Sequence, residues 1–140
     1  KIFSTDVWNI TYDDQQGGIA LTYKSKNICN GMYASYQWEG KEIKTSDYAR
    51  HKISTGKVSD SFGKGHIYKV EYTDKELPKL TQYFYLYPGK EYILTDFTVE
   101  AKEEIRSGRM APVNVDSISG FLQAGDNRAL FVPFDNDKWI

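Results

Sequence analysis

The sequence has one cysteine, two histidines and no long apolar run, and each scarcity excludes a class of protein. Cys29 has no partner for an internal disulfide, so we expect it to be a small core residue. His51 and His66 stand far apart and show no metal-ligand spacing, so neither a metal nor another cofactor is expected. No apolar run approaches the roughly 20 residues of a membrane-spanning helix, so no membrane span is predicted.

An excess of charge of one sign is also missing. Lysine and arginine total 18 and aspartate and glutamate total 19, which gives a net charge of -1. Proteins that bind nucleic acid or anionic membranes favour a basic excess. We therefore expect neither partner.

Helical periodicity is absent as well. No long segment keeps a 3.6-residue apolar period without an interrupting glycine or proline, and only Ala101–Ile105 is a plausible helical piece. What the chain has instead is a series of short alternating runs separated by turn residues. This pattern predicts an all-β, antiparallel β-sandwich that spans residues 1–140 as a single domain.

The clearest of these runs is Thr81–Glu100, which predicts two strands joined by a turn at Tyr87-Pro88-Gly89-Lys90. Proline presets φ at the second turn position, and glycine supplies the positive φ that often follows. Both faces of the first strand are partly apolar, which predicts a position near the middle of a sheet. On the second strand, Ile93, Thr95, Phe97 and Val99 share one face.

Other segments alternate in the same way: Asp6–Tyr12, Ile19–Tyr23, Ile28–Trp38 and His66–Thr73. Gly31 inside a long strand predicts a β-bulge. Glu42–Ser61 is less regular and predicts short strands around Ile43, Tyr48 and Ile53. Phe62–Gly65 predicts a loop, because Gly63-Lys64-Gly65 lacks both the spacing and the following helix of a phosphate-binding motif.

The last predicted strand is Ala129–Phe134, and polar and aromatic side chains cluster at its end: Asp135, Asn136, Asp137 and Trp139. Acceptors for hydroxyl groups beside a flat ring suit a sugar, and a turn that caps its own backbone is the alternative. Asp135 and Asp137 lie in one turn with a single residue between them, whereas glycosidase carboxylates flank a substrate from separate elements. No catalytic residue is therefore predicted.

Three stretches in order carry a family resemblance: Asp60–Gly65, the hairpin Tyr83–Tyr87 with Tyr92–Leu94, and Met110–Val113 leading to Val132–Asp137. Together they resemble the amino-terminal β-domain of α-galactosidase-like glycoside hydrolases, the family 36 and raffinose-synthase-like group. The resemblance covers roughly the part of the chain from Asp60 onward. It implies a twisted supersandwich of the galactose-mutarotase-like kind.

In that family the β-domain packs on a (β/α)₈ barrel, and the barrel carries the catalytic carboxylates. This sequence shows no strand–helix repetition, so the resemblance implies a non-catalytic domain of an enzyme that removes α-linked galactose. Its partners are then a downstream barrel and an α-galactoside, and Asp135, Asn136, Asp137 and Trp139 help to shape the sugar pocket. The start at Lys1 and the apolar end at Trp139-Ile140 favour further chain downstream and export to a bacterial periplasm or surface.

Two other functions stay open at this point. One is a free-standing carbohydrate-binding module, and the other is a β-sandwich adhesion or assembly domain. The 15% aromatic content, with 11 tyrosines, suits a domain that covers a broad interface. It predicts an exposed aromatic patch larger than a monomer normally shows.

Overall fold

The computed structural model describes residues 2–13 and 18–116, and it folds them into two antiparallel β-sheets packed as a sandwich. The strands are β1 (Ile2–Ser4), β2 (Trp8–Asp13), β3 (Gly18–Tyr23), β4 (Lys26–Trp38), β5 (Lys41–Lys44), β6 (Arg50–Asp60), β7 (Gly63–Thr73), β8 (Lys79–Leu86), β9 (Ile93–Glu100) and β10 (Met110–Asn114). One turn of 3₁₀ helix, Thr45–Asp47, is the helical structure within the described ranges. The predicted all-β antiparallel sandwich is confirmed.

The first sheet is built around the 13-residue strand β4. Its strand order is β1-β2-β3-β4-β10, and β5 also pairs with β4. The first part of β4 pairs with β3, while its last residues pair with β5 and β10. One long strand therefore supports both halves of this sheet.

A bulge interrupts β4, as the glycine in this strand predicts. Gly31 has φ of 68°, and the pairing register with β3 shifts on either side of Leu21. The shift lets Cys29 and Met32 both face the core, although they are an odd number of residues apart. Gly18 of β3 lies against this bulge, where a Cβ atom would come within 2.6 Å of the Gly31 Cα.

The second sheet is a regular meander in the order β6-β7-β8-β9. Its three strand pairs keep one register throughout. The predicted hairpin Thr81–Glu100 is confirmed, with β8 between β7 and β9. The backbone N–H of Lys90 donates to the carbonyl of Tyr87 at 3.1 Å, and Gly89 has φ of 70°.

Two local predictions are wrong in part. Of the short strands expected around Ile43, Tyr48 and Ile53, the first is present as β5, but Tyr48 lies outside any strand and Ile53 belongs to the continuous 11-residue strand β6, paired along its length with β7. The loop predicted over Phe62–Gly65 is shorter, since β7 already begins at Gly63. Ala101–Ile105, the one plausible helical piece, is irregular and follows the end of β9, which agrees with the high cost of nucleating so short a helix.

The core lies between the inner faces of the two sheets. The first sheet contributes Ile10, Tyr12, Ile19, Cys29, Met32, Tyr36 and Ile43, and the second contributes Tyr68, Val70, Tyr72, Leu80, Phe84 and Leu86. The burial of Cys29 confirms its predicted place in the core. A buried amide also joins the sheets: Gln82 Nε2 of β8 donates to the carbonyl of Pro112 in β10 at 2.9 Å. Within the described ranges, no helix has the length and apolarity to cross a membrane.

The tyrosines divide between the inside and the outside of the sandwich. Five of them are buried: Tyr12, Tyr36, Tyr68, Tyr72 and Tyr87. Tyr83 and Tyr85 are half-buried on the outer face of the second sheet, and Tyr92 is 39% exposed in the turn before β9. The described residues therefore include an outer aromatic surface, while its size relative to other monomers stays a prediction.

Candidate functional site

The residues predicted to shape a sugar pocket lie beyond the part of the chain that the structure describes. They are Asp135, Asn136, Asp137 and Trp139. Their role therefore stays a prediction. Within the described residues, a concave groove lies at one end of the sandwich, and we take it as the candidate site.

Three segments form this groove: the turn between β4 and β5, the loop between β7 and β8, and the chain that follows β9. The groove has a volume of about 660 Å³, within the size range of small-molecule sites. Its apolar wall consists of Trp38, Leu77, Pro78 and Ile105. Trp38 lies at the end of β4, where Glu39 and Gly40 reverse the chain with positive φ values of 49° and 76°.

The loop between β7 and β8 is held in place by its own first residue. The Asp74 carboxylate accepts hydrogen bonds from the backbone N–H of Glu76 at 2.9 Å and of Ala49 at 3.3 Å. These backbone donors hold the pKa of Asp74 below its usual range. Asp74 is therefore an ionised structural acceptor and not a proton donor.

Buried phenols support the loop from beneath. The Tyr48 hydroxyl donates to the carbonyl of Pro78 at 2.7 Å and lies 3.0 Å from the Tyr36 hydroxyl. Burial raises the pKa of Tyr48 and of Tyr36 above the usual tyrosine range. Both groups stay protonated at neutral pH, so they anchor the groove and do not act as nucleophiles.

Charged side chains surround the aromatic wall of the groove. The carboxylates are Glu39, Asp74, Glu76, Glu100, Glu103 and Glu104, and the lysines are Lys75, Lys79 and Lys102. Carboxylates accept hydrogen bonds from hydroxyl groups, and ammonium groups donate them. With the ring of Trp38 beside them, these groups suit a polar ligand that has an apolar face. Among the described residues, no group of three or more His, Cys, Asp or Glu side chains is arranged to hold a metal ion.

The opposite end of the sandwich brings together stretches that are distant in sequence. The Tyr87 hydroxyl donates to the Asp60 carboxylate at 2.6 Å, and the Phe62 ring lies 6.1 Å from the Tyr87 ring. A Cβ atom on Gly65 would come within 2.7 Å of both the Leu86 carbonyl oxygen and the Tyr87 ring. The turn between β6 and β7 is thus fixed against the end of β8.

The sequence pattern did not identify the groove. Trp38 ends a predicted strand, and the acidic run that follows Glu100 resembles an ordinary solvated segment. The two become neighbours only because the loop between β7 and β8 lies between them in space. A glutamate-glycine pair directly after a tryptophan is a local signal for a tight turn beside an aromatic ring, but not for its partners.

Comparisons of the chain with protein-family models, with curated proteins and with solved structures find no match. The fold and site therefore define the chain as an antiparallel β-sandwich with an aromatic, charge-lined groove. The family resemblance stays a prediction.

Proposed function

We propose that this chain is the non-catalytic amino-terminal β-domain of a glycoside hydrolase similar to the α-galactosidases. In this proposal the domain packs on a downstream catalytic barrel and helps to shape the pocket for a terminal α-linked galactose. The enzyme acts outside the cytoplasm, in a bacterial periplasm or at the cell surface.

One observation carries the proposal: the first two stretches that resemble the family contact each other in the folded chain, and the third is bonded to the residue directly before the second. Asp60 of the first stretch accepts the hydrogen bond of Tyr87 at the end of the second. Gln82, directly before the second stretch, donates to Pro112 of the third. Segments that share such contacts belong to one structural unit, and a resemblance between domains is a resemblance between such units.

The experiment compares hydrolysis of p-nitrophenyl α-galactoside by two proteins: the 140-residue chain and the chain extended through the downstream coding sequence. We expect turnover only from the extended protein, because the barrel supplies the nucleophile and the acid. Replacement of Asp135 or Asp137 by alanine in the extended protein is expected to raise KM or lower kcat. Turnover by the 140-residue chain alone, or unchanged kinetics in both variants, would contradict the corresponding part of the proposal.

The groove beside Trp38 favours a second candidate, a carbohydrate-binding module that acts by itself. Calorimetric titration of the isolated chain with melibiose and raffinose separates the two. Binding that is lost in Trp38→Ala supports the second candidate. If the isolated chain binds neither sugar, the carbohydrate-binding module is contradicted and the domain role is favoured.

A further inference from the structure

The outer face of the second sheet carries two kinds of side chain in adjacent rows. Alternation along the strands sets this face: in β7, Tyr68, Val70 and Tyr72 point to the core, so Ile67, Lys69 and Glu71 point outward. The pairing register then places Tyr83 beside Lys69 and Tyr85 beside Ile67.

One part of this face is aromatic. The rings of Tyr83 and Tyr85 are stacked, with their centroids 6.3 Å apart and an angle of 19° between their planes. Both residues are half-buried, so part of each side chain is accessible on this face. The Tyr85 hydroxyl donates to the Asp96 carboxylate at 3.4 Å, which helps to fix the orientation of its ring.

The adjoining part of the face is cationic. A cavity of about 400 Å³ is lined by Arg50, His51, Lys52, Glu71, Thr73 and Lys79. Glu71 is the carboxylate in this lining, and Lys79 and Lys69 already engage it at 3.0 and 3.3 Å. Among the described residues, Arg50 and Lys52 have no carboxylate partner, so the cavity keeps a positive excess.

From these two features we propose that the outer face of β6, β7 and β8 binds an acidic polysaccharide, a chain of sugars that carries carboxylate or sulfate groups. The cavity beside Arg50 and Lys52 takes an anionic group of the chain, because opposite charges complement each other there. The neighbouring rings of Tyr83 and Tyr85 take the C–H faces of sugar units, since the faces of aromatic rings are electron-rich.

Two alternatives fit this face less well. A neutral glycan would use the tyrosines but would leave the cationic cavity without a counterpart. A nucleic acid would use both features, but it carries a phosphate at every nucleotide and is typically bound by a broad basic surface, whereas the positive excess here is confined to one small cavity. The combination of a small cationic cavity with two neighbouring tyrosine rings therefore favours an acidic sugar chain.

This site adjoins the groove beside Trp38, since Lys79 lines both, but it does not rest on the proposed galactosidase role. A failure of one proposal therefore leaves the other standing. The acidic-glycan site requires binding by the isolated chain, while the domain role requires turnover by the extended protein.

The test measures the affinity of the 140-residue chain for polygalacturonate by calorimetric titration, with dextran as the neutral polymer and a thymidine homopolymer as the nucleic acid. We expect binding to polygalacturonate only. Binding should weaken strongly between about 0.1 M and about 1 M salt, where the Debye length falls from about 10 Å to about 3 Å. No binding to polygalacturonate, or equal affinity for the thymidine homopolymer, would overturn the proposal.

Variants then locate the site. The double substitution Arg50→Glu with Lys52→Glu reverses two exposed charges and is expected to weaken binding by about tenfold or more. Lys57→Glu is the matched control, since Lys57 is exposed on the same strand but belongs to the opposite face, and it should bind as the unchanged chain does.

The role of the tyrosine rings is tested by Tyr83→Leu, which keeps apolar bulk but removes the ring, and thermal melting verifies that this variant is folded. We expect a several-fold loss of affinity from this change. Unaltered affinity in the folded Tyr83→Leu variant would show that binding depends on charge alone. It would overturn the claim that the tyrosine rings contact sugar units. Equal losses in Lys57→Glu and in the double variant would overturn the location.

Discussion

The two sheets of this sandwich differ in regularity. The second sheet keeps its register from end to end, and β7 alternates between half-buried and buried residues from Ile67 to Tyr72. In the first sheet, the pairing of β4 with β3 and with β10 contains register shifts. Regular pairing gives the second sheet one packed inner face and one outer face, whereas the first sheet bends around its glycine contacts to complete the core. The predictions below test this contrast.

The largest expected effect comes from opening the core on the regular sheet. Phe84 of β8 is 1% exposed and meets Tyr68 edge-on at 6.5 Å between ring centroids. We expect Phe84→Ala to lower the free energy of unfolding by about 3–5 kcal/mol through lost burial and a cavity. Chemical denaturation measures the loss. Thr98→Ala, on the exposed side of the neighbouring strand, should change the free energy by less than about 0.5 kcal/mol.

A second prediction concerns the link between the sheets. Gln82 is fully buried, donates to Pro112 and accepts a hydrogen bond from the Tyr72 hydroxyl at 3.4 Å. Gln82→Leu leaves both groups without this partner, so we expect a loss of about 1–3 kcal/mol in the free energy of unfolding. In a Tyr72→Phe background the same substitution should lower the free energy of unfolding by less. The Tyr72 hydroxyl is already absent there, so only the Pro112 carbonyl loses its partner. Equal costs in both backgrounds would show that the hydroxyl contact contributes nothing.

A third prediction concerns the bend in the irregular sheet. A Cβ atom at Gly18 would meet the backbone of Gly31 at 2.6 Å, and backbone atoms cannot move aside cheaply. We expect Gly18→Ala to destabilise the fold by about 1–3 kcal/mol. The matched change in the regular sheet is Gly56→Ala in β6, where a Cβ atom meets nothing within 4 Å. That variant should be neutral or slightly more stable because it restricts the unfolded chain, and thermal melting compares the two.

The smallest expected effect is a pH dependence at the end of the second sheet. Burial, followed by the hydrogen bond to Asp60 and the charge of Asp60, raises the pKa of Tyr87 to about 12. The folded state then holds the phenolic proton more tightly than the unfolded state, whose tyrosine pKa is about 10. The resulting stability is complete below about pH 10 and is lost as the pH rises through the folded pKa.

Urea unfolding on either side of that range tests this linkage. The unchanged chain should lose more stability between neutral and strongly alkaline pH than Tyr87→Phe does. In Asp60→Asn the burial remains but the charge is removed, so the pKa of Tyr87 should move back toward that of an ordinary tyrosine. An alkaline loss of the same size in the unchanged chain and in Tyr87→Phe would show that other tyrosines cause it.

The difference between the sheets also explains what the sequence could predict. The hairpin Thr81–Glu100 and the strand from His66 onward alternate without interruption, so both were predicted and are confirmed. The long strand β6 was missed because its outer and inner residues are both largely polar, as expected of an edge strand, and only its pairing with β7 defines it. The bulge at Gly31 was predicted from a glycine within a strand.

Tertiary proximity was not predictable from local patterns. The pairing of the Trp38 turn with the loop from Asp74 depends on how the two sheets stack, and no spacing in the sequence encodes it. The cationic cavity was not predictable either, since Arg50 and Lys79 come together only through the register of three strands. The predicted sugar-pocket residues, Asp135, Asn136, Asp137 and Trp139, lie outside the described chain and stay predictions.

The central claim is that this sandwich serves a catalytic domain encoded after it. Sequencing the coding region beyond Ile140 tests that claim most directly. The account predicts alternating strands and helices of a (β/α)₈ barrel, with aspartates at the carboxyl ends of its strands. A stop codon directly after Ile140, or a downstream region without that alternation, would contradict it.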